Sequence, residues 1–224
     1  MTPAPVHNKI KVGFFSFTEI TDPREHHSYN EWHQLDHMPE QFPLDGIAYG
    51  QRWVSTPACR AARAAGGALL DPIHYVTLYL MTEPIDRTLR EFMQLGRDLR
   101  AQHRFHHHRK AHLSGPFPLV DTAVAPRVLI SAAAVPYRPN RGVYVTVQPT
   151  VGAGAAPSVE ECCGLDGVAG AWAFADADRR ITVAWLDDDP LVVGARIGAP
   201  PEGAELAGPF ATITPWQWDW FDSA

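Results

Sequence analysis

Apolar and polar positions alternate along this chain in short bursts, which is the period of half-buried strands. The bursts are VGFFSF (12–17), PLDGIAYGQRWV (43–54), HYVTLYL (74–80), LSGPFPLV (113–120), VYVTVQ (143–148), GLDGVAGAWAFA (164–175), ITVAWLD (181–187) and LAGPFATI (206–213). Two connectors carry a different period. The first opens with Asp22 as N-cap, Pro23 at the first helical position and Glu25 three residues after the cap, which predicts a helix running to about Met38, where Pro39 disfavours continuation. The second begins after Pro84 and places Ile85, Leu89, Phe92, Met93 and Leu99 on one face of a helix.

The bursts also match one another in order. Segment 43–54 returns at 164–175 (164 − 43 = 121), 74–80 at 181–187 (181 − 74 = 107), 113–120 at 206–213 (206 − 113 = 93), and 12–17 at 143–148 (143 − 12 = 131). Each half therefore reads strand, connector, strand, strand, connector, strand. That pattern predicts an α+β protein made of two ferredoxin-like units, helices on one face of an antiparallel sheet. The units are 1–122, a linker 123–141, and a degenerate second unit 142–224. The second unit is expected to lack the first helix, because its connector PTVGAGAAPSVEECC is short and rich in Gly, Ala and Pro.

The stretch YNEWHQLDHMPE, with Trp32, His37, Pro39 and Glu40, resembles the W-x-x-x-x-H-x-P-E helix end of the EthD-like branch of the dimeric α/β-barrel superfamily. The resemblance covers 10–122 and reaches 142–224 only through the strand pattern. It implies a barrel closed within one chain as a pseudo-dimer, with a ligand cavity between helices and sheet. It also implies that the histidine near the end of helix one faces this cavity, and that there is one site per chain. The family's metal-free and cofactor-free chemistry on small hydrophobic rings and polyketide-like compounds is the implied activity. A haem-binding branch of the same superfamily takes its axial histidine from the second unit. Here all eleven histidines lie at or before His112, which speaks against haem.

Composition adds limits. The 224 residues carry a formal charge of −6 and are 46% hydrophobic, so no general basic face argues for nucleic acid. No segment approaches a membrane span and MTPAPVHNKI lacks the apolar run of a signal peptide, so a cytoplasmic location is expected. Cys59, Cys162 and Cys163 lack C-x-x-C spacing and are expected to be packing residues. The expected partner is a small-molecule substrate, with a homo-oligomer left open.

Helical spacing puts His26, Tyr29, Asn30, His33 and His37 on one side of helix one. Tyr29, Trp32 and Leu35 form the adjoining apolar stripe, with Trp32 expected against the sheet. Neutral imidazoles take and return protons near pH 7, so His37 and His33 are the catalytic candidates. Tyr29 is the candidate donor to an oxyanion, and Glu40, with Asp36, the candidate group for tuning a histidine. Trp53, Phe15, Phe17, Tyr79 and His103 are the candidate substrate contacts, His103 coming from the run RAQHRFHHHRKAH. That run otherwise suits a basic helix end complementing the dipole.

The favoured function is an isomerase, cyclase, lyase or cofactor-free monooxygenase acting on a small cyclic or aromatic compound. The competing site is one divalent metal ion held by His33 and His37 at i, i+4, with Glu40, His74 or His103 as third ligand. It ranks second because those third ligands must come from segments whose direction the sequence leaves open. His26 is too far: eleven residues along a helix span about 16 Å. A non-catalytic small-molecule binder is the third reading.

Overall fold

In the computed structural model, which describes residues 7–151 and 157–222, the alternating segments form one sheet closed on itself. Its long strands are β1 (Ile10–Ile20), β2 (Ile47–Val54), β4 (Tyr75–Thr82), β5 (Arg109–Val124), β6 (Gly142–Pro149), β7 (Val168–Ala175), β8 (Arg179–Leu186) and β9 (Leu206–Thr212). A two-residue β3 (Ala65–Gly66) hangs on β9. The order is β2-β4-β1-β5-β7-β8-β6-β9, and β9 returns to β2 through Trp53↔Thr212 and Val54↔Ala211. Both four-strand sets keep the split βαβ order, second-third-first-fourth. β5 joins them: its first part pairs with β1 and its last part, from Leu119, pairs with β7. Among the described residues, closure leaves no long unpaired edge. The residues 1–6 of the signal-peptide reading and residues 152–156 of the second-half connector lie outside the described residues.

The sheet register fixes which residues hold equivalent places in the two halves. Gly115 and Gly208 pair with Phe15 and Val145, these with Leu78 and Val183, and those with Gln51 and Trp172. The offsets are 93, 130, 105 and 121. Two of the four sequence matches are thereby corrected, 131 to 130 and 107 to 105. The cause is that alternating apolar letters tolerate a slip that pairing does not.

Interior and exterior follow from parity. Phe15, Phe17, Trp53, Leu78, Val145, Trp172, Phe174, Val183 and Trp185 fill the barrel and are essentially inaccessible. Eight strands enclose about the space that side chains can fill, so the interior is core.

Helices cover the outside. The first connector starts as expected: Asp22 accepts the Arg24 N–H at 3.1 Å, with Pro23 in the first turn. The ordinary helix α1 (His26–Trp32) then widens into a π turn over His33–His37, closed by Met38 N–H to the His33 carbonyl at 2.9 Å. Pro39 offers no N–H, and its ring crowds the carbonyl four residues back, so the last turn cannot close in α geometry. Single-turn π segments recur at functional sites. Two expectations fail here. Leu35 is exposed and Trp32 only half-buried, its indole N–H donated to the Arg104 carbonyl at 2.7 Å. Trp32 packs on the segment that follows the second helix and on the start of β5, with Phe105 at 5.8 Å and the Arg109 guanidinium 6.0 Å from its ring.

Two short helices precede and follow the middle of the chain, α2 (Pro57–Ala61) and α4 (Val159–Cys163), and α3 (Ile85–Ala101) and α5 (Pro190–Arg196) are the second connectors of the two halves. α4 stands where no helix is expected. It is one turn long and is started by a capping box, Ser158 accepting from Glu161 N–H while Glu161 accepts from Ser158 N–H at 2.7 Å.

Candidate functional site

A cavity of about 320 Å³ lies between the first-half strands β1, β2, β4 and β5 and the helices that cover them. Its floor is the outer sheet face. One cross-strand row reads Arg52–Thr77–Ser16–Ser114, and the next Gly50–Tyr79–Phe14–Pro116. Thr77, Ser16, Ser114, Tyr79 and Phe14 line the cavity. Gly50 is needed beside Tyr79, because a Cβ there would stand 2.8 Å from that ring. The roof is His33, His37 and Gln41 from the first connector, and the outer wall is Phe92, Met93, Gly96, Arg97 and Arg100 of α3. Phe105 and Arg109 close the remaining side.

The π turn brings the two histidine rings together, centroids 5.1 Å apart and edge to face. His37 stacks on Trp32 at 4.7 Å, tilted by 21°, and meets the edge of Phe105. Nδ1 of each histidine is buried without a hydrogen-bond partner. Burial, then the charge of Arg109, lowers the His37 pKa to about 4. Burial and the Arg52 charge push His33 well below its ordinary value. Both rings are neutral at pH 7, so each can accept a proton. Tyr79 is 3% exposed, its hydroxyl has no partner, and burial drives its pKa up, which keeps it a donor.

Arg52 is the residue that strand reading misses. It is 3% exposed, donates from Nη2 to Asn30 Oδ1 at 2.9 Å, and lies over the rings of Tyr29 and Tyr75 at 5.1 and 5.4 Å. Asn30 Nδ2 donates to the Tyr75 hydroxyl at 2.9 Å, and that hydroxyl lies 2.9 Å from His26 Nδ1. This chain of polar groups anchors α1 to β4 and fixes the guanidinium. The signal for it was alternation: once Trp53 belongs to the interior, Arg52 belongs to the helix-covered face.

The remaining candidates fall elsewhere. Phe15, Phe17 and Trp53 point into the barrel, so Phe14 and Ser16 replace them beside the cavity. Tyr29 is fully buried behind His33, with ring centroids 5.8 Å apart, and does not line the cavity. Glu40 is held with Asp36 by Arg104, each at 2.7 Å, outside the cavity. His103 is exposed at the end of α3 with φ 58°; the inward members of the run are His106, 3.0 Å from Ser28 Oγ, and His112, 2.6 Å from Glu19 Oε2. His74 sits under a different depression and its Nδ1 accepts the Ile20 N–H at 3.1 Å. None of Glu40, His74 or His103 thus joins His33 and His37 at a common point. The one trio of metal-type ligand atoms within 4.8 Å of one another among the described residues is Asp22, Glu25 and His108, at the surface.

Among the described residues, the corresponding place in the second half holds a much smaller void. The places of Arg52, Tyr79 and Phe14 are taken by Ala173, Ala184 and Tyr144, and the void there is about 40 Å³.

Two expectations follow from this geometry. Gly96 faces open space, with nothing within 4 Å of a built Cβ. Gly96→Ala should stabilise the protein by about 1 kcal/mol, as removing an interior helix glycine does. Gly96→Trp should fill the cavity mouth and abolish ligand binding at unchanged melting temperature; undiminished binding would move the site elsewhere. The second concerns pH. Burial holds His26 and His37 at about 4 and His74 at about 3. An unfolded chain therefore binds more protons between about pH 6.5 and 4, and the stability present above 6.5 drains away as pH falls through that window. Thermal melts should show a midpoint several degrees lower at pH 5 than at pH 7. A flat midpoint would contradict the buried neutral histidines.

No protein-family model matches the sequence, and the search of curated proteins finds no match either. Among solved structures, a candidate monooxygenase from Fusobacterium nucleatum subsp. nucleatum ATCC 25586 is similar with TM-score 0.51 at 7% identity, over 92% of this chain and 94% of that one. An anthrone oxidase-like protein has TM-score 0.47 at 11% identity, over 94% of both chains. A candidate chlorite dismutase has TM-score 0.49 at 9% identity, over 96% of this chain and 99% of the other. The fold is that of the dimeric α/β barrels. No helix of the described residues is long and apolar enough to cross a membrane.

Proposed function

We propose that the chain is an enzyme that takes a small, planar, hydrophobic ring compound, aromatic or polyketide-like, into the first-half cavity and moves a proton through His37 and His33. The observation that carries this reading is the pair of neutral imidazoles whose buried Nδ1 atoms lack a protein partner beside one cavity. Phe14, Phe92 and Phe105 supply apolar walls for a flat ring. A neutral imidazole removes a proton from an acidic carbon or phenol of the substrate, and the Tyr79 hydroxyl donates to the oxygen where charge develops. Proton removal of this kind opens isomerisation, ring closure, elimination or reaction of an electron-rich phenol with oxygen. The neighbour described as a monooxygenase is compatible with the last. We further read the two strand sets as a tandem of related units, of which only the first keeps a site.

One observation favours a second reading. Gln41 Oε1 is also buried, unpartnered and beside the cavity, so it could complete a three-donor metal site with the histidines. Metal analysis of purified protein, with turnover of a panel of polycyclic phenols before and after chelation, separates the two. Turnover that survives chelation supports acid/base chemistry. Stoichiometric metal that disappears in His37→Ala overturns it.

A further inference from the structure

Four arginines gather at this cavity, and no carboxylate meets them. Arg97, Arg100 and Arg109 line it, and Arg52 lies buried beneath its roof, where its charge reaches both His33 and His37. Among the described residues none of the four forms a salt bridge, and no Asp or Glu lines the cavity. Acids are not scarce, since the chain carries 25 of them against 19 lysines and arginines. Elsewhere they are used: Arg104, just outside the cavity, takes both Asp36 and Glu40, and Arg179 takes Glu205 at 2.7 Å.

The cavity arginines are also incompletely bonded. Nε and Nη1 of Arg52 and Nε of Arg109 are buried with no partner, and so is Oγ1 of Thr77, the cross-strand neighbour of Arg52. A buried guanidinium without a counter-charge is costly, and one amide oxygen with two ring faces offsets only part of that cost. The aromatic walls want a flat ring; the guanidinium groups want an anion. In the second half the equivalent of Arg52 is Ala173 and the cavity has shrunk, so cation and cavity occur together.

We infer that the ligand of this cavity is a planar aromatic acid, whose carboxylate supplies the counter-charge that Arg52 and Arg109 lack. The inference rests on the cavity being the ligand site, as proposed above, and adds the charge of the ligand to it. Arginine suits the role because its fork of N–H donors matches a carboxylate. The volume accepts a skeleton of two fused rings.

The test is a calorimetric titration of the intact protein at pH 7 with 2-naphthoate and with its neutral isostere 2-naphthamide, in wild type, Arg109→Gln, Arg52→Met and Gly96→Trp. The acid should bind at least about tenfold more tightly than the amide in wild type, a margin of about 1.4 kcal/mol. That margin should fall to about twofold in Arg109→Gln, and both probes should lose binding in Gly96→Trp. Arg52→Met should behave like Arg109→Gln; if it fails to fold, the half-exposed Arg109 variant decides alone. Equal affinity for acid and amide, with both blocked by Gly96→Trp, would overturn the charge inference and leave the cavity reading standing. Binding of neither probe, or binding indifferent to Gly96→Trp, would overturn both. A tenfold preference that persists in Arg109→Gln would place the anion elsewhere and overturn the inference.

Discussion

Replacing His37 by alanine should lower turnover by about 10²–10⁴, the usual worth of a positioned proton-transfer group, while the ring compound still binds within a few-fold. The separation of the two effects follows from how the imidazole is held. Its ring is fixed by Trp32 on one face and Phe105 at an edge, contacts that leave Nδ1 free and do not belong to the barrel core. Removing it leaves Phe14, Phe92 and Phe105 to hold a ring. The pH profile gives a second readout. Burial and Arg109 set the free-enzyme His37 pKa at about 4, so the acid limb of kcat/KM should fall near there and not near the ordinary 6.5. Exogenous imidazole should restore part of the rate in the alanine variant. An acid limb near 6.5, or a variant that turns over as fast as wild type, would remove His37 from the mechanism.

How much of this was legible follows from the range of each interaction. The Asp22 cap and Pro23 start a helix through contacts spanning two or three residues, and both act as read. Period-two alternation located every long strand of the described residues. Alternation did not assign faces in β1, because Phe14, Phe15 and Phe17 are all aromatic and both faces of that strand are covered, one by barrel core and one by helices. Phe15 and Phe17, the expected substrate contacts, have the parity of the barrel interior. Glu40 looked like a tuning group for histidine until Arg104, more than sixty residues away, claimed it; Asp36 is held by the same Arg104, yet its charge still raises the His37 pKa against the larger lowering by burial and Arg109. His26 and His74 are neutral and buried partly because Phe221, near the far end of the chain, stacks on His26 at 3.8 Å. No local pattern carries that contact. The π turn is intermediate: Pro39 announces that the helix must change, and the sequence does not say that it widens before it stops.

Parity also gives the sharpest stability contrast in the molecule, between two neighbours on one strand. Phe15 is 0% exposed inside the barrel, edge-on to Phe117 at 5.8 Å and to Phe174 at 5.1 Å. Phe15→Ala should cost about 3–5 kcal/mol, the transfer of a large ring plus the void it leaves, since eight strands cannot collapse around one missing side chain. That is a large share of the roughly 5–15 kcal/mol that holds a domain folded. Should the alanine variant fail to accumulate, Phe15→Leu should still show a clear loss in denaturant midpoint. Phe14 is only partly buried on the opposite face, its ring 4.8 Å from Phe92 at the cavity wall. Phe14→Ala should cost markedly less stability and weaken 2-naphthoate binding, because the wall that the ring packs on is gone. Urea titrations and the calorimetric binding assay read the two axes independently. If Phe15→Ala weakened binding at native stability and Phe14→Ala unfolded the protein, the interior and the site would have been exchanged, and with them the cavity assigned to His33 and His37.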